Sequence, residues 1–190
     1  MISRVIAFVN GNEMVVENKI TRPNIILTGF MATGKTTIGK GLAITLGYAF
    51  VDTDHLIEDR YGQTIAELFR QKGEAAFRAM ETDVARELGK KEGFVIATGG
   101  GMVLDPINVT ALETQGRIFC LVATPGDVLE RASRDGAVRP LLEGATPMER
   151  ITQLMKDRQE VYRHFTQVDT TGKTPEEVVG MLLTLLWGRR

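Results

Sequence analysis

A single cysteine and two histidines in 190 residues exclude several kinds of chemistry at once. Cys120 cannot form an internal disulfide and has no neighbouring cysteine or histidine at metal-ligand spacing. It lies in the apolar run Arg117-Ile118-Phe119-Cys120-Leu121-Val122, where a core position is expected. His55 and His164 stand in no partner pattern and are read as structural or surface residues. Charge of one sign is also missing: a net charge of -1 with 25% charged residues gives no basic surface for nucleic acid. No apolar run approaches the roughly 18 residues of a membrane span. Repeats and low-complexity tracts are absent, and no basic-then-apolar leader precedes a small-residue cleavage site, so the cytoplasm is the expected compartment. What remains is 43% apolar residues, enough for the core of one domain.

The most specific feature is the run Gly29-Phe30-Met31-Ala32-Thr33-Gly34-Lys35-Thr36, which fits the phosphate-loop pattern G-x-x-x-x-G-K-S/T. Glycines let backbone amides close around phosphate oxygens, Lys35 brings a positive charge, and the Thr36 hydroxyl can ligate Mg2+. By average composition the pattern arises by chance on the order of once in a hundred chains of this size. Context sharpens it, because Asn24 to Thr28 reads as a buried strand and Ile38, Leu42 and Leu46 follow at helical spacing up to Gly47. Strand, loop and helix is the setting that the motif requires.

Strand candidates then recur at Tyr48 to Val51, Phe94 to Ala97, Ile118 to Val122 and Gln167 to Asp169, separated by helical stretches. This alternation predicts an α/β fold with a parallel sheet covered on both faces. Helix starts are marked at Asp105-Pro106, Thr124-Pro125, Thr146-Pro147 and Thr174-Pro175. Glu149 and Glu177 would complete capping boxes with Thr146 and Thr174, and Thr64 with Glu67 opens a helical region broken once near Gly73. Residues 1–22 form an N-terminal extension, either disordered or a hairpin about Asn10-Gly11, which suits a type I' turn. Residues 23–190 form the single main domain, with an acceptor-binding region at about 53–81 and a lid at about 131–146.

Asp52-Thr53-Asp54 follows the strand Tyr48 to Val51 directly, so its carboxylates sit where open parallel sheets bind ligands. One can serve a metal shell and the other an acceptor, although Asp54 could also simply cap the next helix. In the stripe Phe77, Glu81, Val84 and Leu88 a glutamate falls on an apolar face, placed to hold Arg78 toward a site. Arg158 likewise occupies a core-facing slot among Ile151, Leu154, Met155, Tyr162 and Phe165. A guanidinium there needs an anion, either a ligand or a structural aspartate. Thr98-Gly99-Gly100-Gly101 could bring amides close to a small ligand. Arg131 to Ala145, centred on Arg139-Pro140-Leu141-Leu142, reads as a lid carrying an arginine for transferred phosphate.

In their order these parts resemble the shikimate kinases: phosphate loop, strand into D-T-D, Phe77-Arg78 with Glu81, strand into G-G-G, the R-P-L-L lid, R-x-x-x-Y at Arg158 and Tyr162, and Val168-Asp169-Thr170 leading to Pro175. The likeness spans about residues 24 to 186. It implies the P-loop NTPase, nucleoside monophosphate kinase-like three-layer fold with a five-stranded parallel sheet. It also implies ATP-dependent phosphorylation of shikimate to shikimate 3-phosphate, with Mg2+. By the same resemblance, Gly29, Ala32, Thr33, Gly34, Lys35, Thr36 and Thr37 would hold phosphates, while Thr36 and Asp52 serve the metal, Asp52 through water. Asp54 would bind acceptor hydroxyls and stand as candidate base. Arg78 and Arg158 would clamp the shikimate carboxylate, Gly100 and Gly101 would offer amides, and Arg139 would close over the phosphoryl group. The turn Thr170 to Pro175 would flank adenine, with Lys173 where relatives often carry arginine. Arg131 and Arg134 both miss the usual spacing for a further nucleotide arginine, and Ala32 replaces a common glycine.

A kinase of the same fold acting on gluconate or a nucleoside monophosphate is the competing enzyme reading. A nucleotide-binding regulator with a decayed site would have lost Lys35, Asp54 or Arg139, and all three are present. With two arginines near it, Asp54 is expected to keep a low pKa. The expected partners are shikimate and ATP, with no nucleic acid or membrane, and the expected state is a monomer.

Overall fold

Alternation along the strands divides the interior into two cores. In β3 (Asn24–Gly29), Ile25 and Leu27 face one side of the sheet and Ile26 the other. The same holds in β6 (Gly116–Val122), where Phe119 and Leu121 join the first core and Ile118 and Cys120 the second. Cys120 is therefore a core residue, and burial pushes its thiol up to about 12. With β4 (Ala49–Asp52), β5 (Phe94–Ala97) and β7 (Thr166–Asp169), these strands make a five-stranded parallel sheet in the order β4-β5-β3-β6-β7. The structure, a computed structural model, describes residues 2–9, 12–19, 21–134 and 146–188.

Helices α1 (Lys35–Leu46) and α7 (Pro175–Trp187) cover the first core through Ile38, Leu42, Val178 and Leu182. The opposite face carries α2 (Thr53–Tyr61), α3 (Ile65–Leu88), α4 (Pro106–Glu113), α5 (Pro125–Arg134) and α6 (Pro147–Tyr162). The result is the three-layer P-loop kinase fold. Gly73, at φ 81 and ψ 169, breaks α3 where the sequence placed an interruption. Asn24 is 1% exposed and ties distant parts together: its amide donates to the Leu88 and Lys91 carbonyls, and its oxygen accepts from the Phe94 amide. No helix among the described residues is long and apolar enough to cross a membrane.

The helix starts at Pro106, Pro125, Pro147 and Pro175 all stand as the sequence predicts. Two of the three expected capping boxes form, at Thr64 with Glu67 and at Thr174 with Glu177. The third does not: Thr146 makes no side-chain cap bond, and Pro147 presets the first turn without one. At Thr124 the hydroxyl accepts from the Asp127 amide and donates to the Asp127 carboxylate, a pairing that the sequence reading did not name. At the N-terminus, β1 (Ile2–Val9) and β2 (Asn12–Lys19) pair antiparallel, from Ile2 opposite Lys19 to Val9 opposite Asn12. The Asn10-Gly11 turn lies outside the described residues, as do residues 135–145 with Arg139.

Candidate active site

Four of the motifs singled out in the sequence leave the sheet at the carboxyl end of a strand, and Arg78 with Glu81 and Arg158 with Tyr162 come from helices α3 and α6. The phosphate loop follows β3, Asp52-Thr53-Asp54 closes β4, the glycines follow β5, and Thr170 follows β7. The loop conformation needs its glycines. Gly34 has φ 93, and a Cβ on Gly29, at φ 133, would stand 2.2 Å from the Leu121 carbonyl oxygen. Lys35 Nζ donates to the Gly29 and Phe30 carbonyls at 3.0 and 2.8 Å, and Thr33 Oγ1 donates to the Phe30 carbonyl at 2.8 Å. Ala32 has φ 56, a left-handed conformation unfavourable to a residue with a Cβ. Ala32→Gly should therefore raise stability by about 1 kcal/mol, seen as a higher Tm; a lower Tm would mean that the methyl packs to more advantage than the strain costs.

Thr36 Oγ1 donates to Asp52 Oδ2 at 2.7 Å, joining the start of α1 to the end of β4. The other oxygen, Oδ1, accepts from the Asp54 amide at 3.1 Å, so the helix cap is Asp52 and not Asp54. His55 is exposed, 3.7 Å from Asp52. Asp54 is thereby free of capping duty and lies in the first turn of α2. Its pKa corrects the sequence expectation of a low value: it rises to about 6, chiefly through burial and then through the nearby Asp52 charge, with Lys35 opposing. Glu58 raises it further and His55 lowers it, so the largest influences on it are burial and its neighbours along the chain together with Lys35.

Around the glycine loop the acceptor residues converge. A Cβ on Gly99 would stand 2.5 Å from Asp54 Oδ1, one on Gly100 would stand 3.2 Å from Arg158 Nη1, and one on Gly101 would stand 2.6 Å from Arg78 Nη1. Each glycine thus makes room for one of the three charged side chains, a use of the motif that spacing alone does not reveal. Thr53, the middle residue of D-T-D, is buried and its Oγ1 accepts from the Gly99 amide at 2.9 Å. Arg78 is held as the α3 stripe predicts: Nη1 donates to Glu81 Oε2 at 2.6 Å and Nη2 to Glu74 Oε1 at 3.0 Å. Glu81 is 1% exposed, and burial raises its pKa against the opposing pull of Arg78. The Arg158 guanidinium lies over the Phe30 ring, 5.5 Å from its centroid. Phe30, missed at the sequence level because the motif leaves that position open, thus links the phosphate loop to α6.

At the other edge of the sheet, Arg131 reaches the turn after β7. Its Nη1 donates to Thr170 Oγ1 at 3.0 Å and its Nη2 to the Thr170 carbonyl at 2.7 Å. Arg134 pairs with Glu130 instead, 2.6 Å away. Lys173 Nζ donates to Asp169 Oδ2 at 3.2 Å beside the same turn.

Residues 31–187 match the family model described as shikimate kinase. A shikimate kinase of Thermus thermophilus is 44% identical over 164 residues, covering 86% of this chain and 89% of that protein. One from Geobacter metallireducens is 41% identical over 167 residues, covering 87% and 93%. The structure of a shikimate kinase from Acinetobacter baumannii in complex with shikimate superposes with a TM-score of 0.83 at 36% identity, over 90% of this chain and 96% of that one.

Proposed function

Because the chain belongs to the shikimate kinase family, we propose that it transfers the γ-phosphoryl group of ATP to the 3-hydroxyl of shikimate, giving shikimate 3-phosphate and ADP, a step toward the aromatic amino acids. The observation that carries this reading is the convergence of Asp54, Arg158 and Arg78 on three consecutive glycines. One carboxylate and two guanidiniums suit an acceptor with hydroxyls at one end and a carboxylate at the other. Arg78 and Arg158 take that carboxylate, the Gly100 and Gly101 amides face the acceptor, and Asp54 holds the reacting hydroxyl and accepts its proton. A nucleoside monophosphate or gluconate is the alternative acceptor, and the family match disfavours both.

Lys35 and the amides of Gly29, Ala32, Thr33, Gly34, Thr36 and Thr37 hold the ATP phosphates. Mg2+ fits beside them, since Thr36 and Asp52 present a hydroxyl and a carboxylate in contact, both oxygen donors of the kind this hard cation takes. Bound there, it would neutralise phosphate charge. Arg131 and Lys173 border the Thr170 turn, where adenine is placed, and Arg139 is assigned to the transferring phosphoryl by its position in the R-P-L-L segment.

A coupled ADP-release assay with shikimate, gluconate, AMP and CMP tests the acceptor, and turnover confined to gluconate or a nucleotide would overturn the reading. Arg158→Lys should weaken shikimate binding by about 10- to 100-fold at nearly unchanged ATP affinity, because an ammonium lacks the planar fork that meets a carboxylate at two points. Calorimetry with each ligand decides it: a weakened ATP site with normal shikimate binding puts Arg158 in the wrong half of the site.

A further inference from the structure

The tyrosine of R-x-x-x-Y has no part in the chemistry above, yet its hydroxyl reaches the acceptor loop. Tyr162 ends α6, one turn beyond Arg158 and on the same face. It is 6% exposed, with its ring in the core that also holds Ile151 and Phe165, and its Oη donates to the Gly100 carbonyl at 2.7 Å. Gly100 is confined from three directions: a Cβ there would stand 3.2 Å from Arg158 Nη1, 3.3 Å from the Gly29 carbonyl oxygen and 3.7 Å from Tyr162 Oη. The phosphate loop, the glycine loop and α6 therefore meet at this one residue.

We propose that Tyr162 is a positioning residue for the acceptor, fixing the glycine loop against α6 through the Gly100 carbonyl. Resting on the acceptor assignment above, this role follows from geometry. A carboxylate bound by the Arg158 guanidinium and met by the Gly100 and Gly101 amides needs a constant separation between helix and loop. Apolar packing of the ring resists separation but is nondirectional, and it leaves sliding along the helix axis less restrained. The hydroxyl supplies the missing direction. Burial pushes the Tyr162 phenol up to about 12, so the group stays a donor throughout the range in which a kinase is assayed.

Tyr162→Phe keeps the ring and removes the hydroxyl, which donates to Gly100 and also accepts from the Arg158 side chain. In the full-length chain it should weaken shikimate binding, and lower kcat/KM for shikimate, by about 3- to 10-fold, the size of the lost hydrogen bond to Gly100. ATP affinity should stay within about twofold. Replacing Tyr162 with p-aminophenylalanine, which restores an N–H donor at the same place, should recover most of the loss. Wild-type shikimate affinity in the folded Phe variant, or an equal loss for shikimate and ATP, would overturn the proposal by reducing the tyrosine to packing. Arg158→Lys measured alongside separates the two levels. If it loses shikimate while Tyr162→Phe does not, only the tyrosine's role fails; if it binds shikimate normally, the acceptor assignment fails and the tyrosine's role with it.

Discussion

Asp54→Asn is expected to lower turnover by about 10²-fold or more while making the protein more stable at neutral pH. Both effects come from one carboxylate. As the proposed base, Asp54 must be ionised, and with its pKa at about 6 the acid limb of kcat/KM for shikimate should fall through that region. Its stability effect runs in the opposite sense. The folded-state pKa lies above the ordinary 3.8, so between that value and about 6 the folded protein holds a proton that the unfolded chain releases. Below this window the carboxyl is neutral in both states and costs nothing; as pH rises through it, the folded state is progressively destabilised, by about 1–3 kcal/mol once Asp54 is fully charged. Asparagine removes that cost. Denaturant unfolding should therefore show a gain for the variant at pH 8 that disappears near pH 4. Equal stability at pH 8 would mean that Asp54 is better solvated than its place beside Gly99 indicates, and turnover near that of the wild type would remove it as the base.

Lys35→Ala should have an effect of similar or greater size on catalysis and a small one on the fold. The ammonium donates to the Gly29 and Phe30 carbonyls, which holds it at the mouth of the loop. In the proposed complex its charge acts on phosphate oxygens, where the transferred group spreads negative charge as its bond loosens. Losing one such donor costs about 10²- to 10³-fold in turnover. Gly29 and Gly34 would keep the loop's conformation, since their left-handed torsions do not depend on the lysine. Near-normal turnover in a folded variant would sink the assignment of this loop to ATP phosphates, and a collapse of Tm would show that the lysine's contacts hold the loop together.

Much of this was legible in one dimension because the signals are local. A phosphate loop is a run of backbone torsions that only certain residues adopt, so Gly29, Gly34, Lys35 and Thr36 declare it without any distant contact. Proline at the first helical position and the two-residue period of the strands act over a few residues as well, and they predicted the helix starts and the parallel sheet. The inward Glu81 that holds Arg78 was readable from helical spacing. What one dimension could not show depends on which strand lies beside which. The order β4-β5-β3-β6-β7 puts the end of β5 beside the end of β4, and that adjacency brings Gly99 against Asp54 and Thr53. Burial at that junction, together with the Asp52 charge, raised a pKa that a count of nearby arginines had set low. Tyr162 reaching Gly100, Arg158 lying over Phe30 and Arg131 bonding Thr170 join residues far apart in the chain. The residue types and their order determined the fold and the kind of chemistry; the packing of strand ends determined the solvation and reach of each charged group, because desolvation and hydrogen bonding depend on neighbours in space.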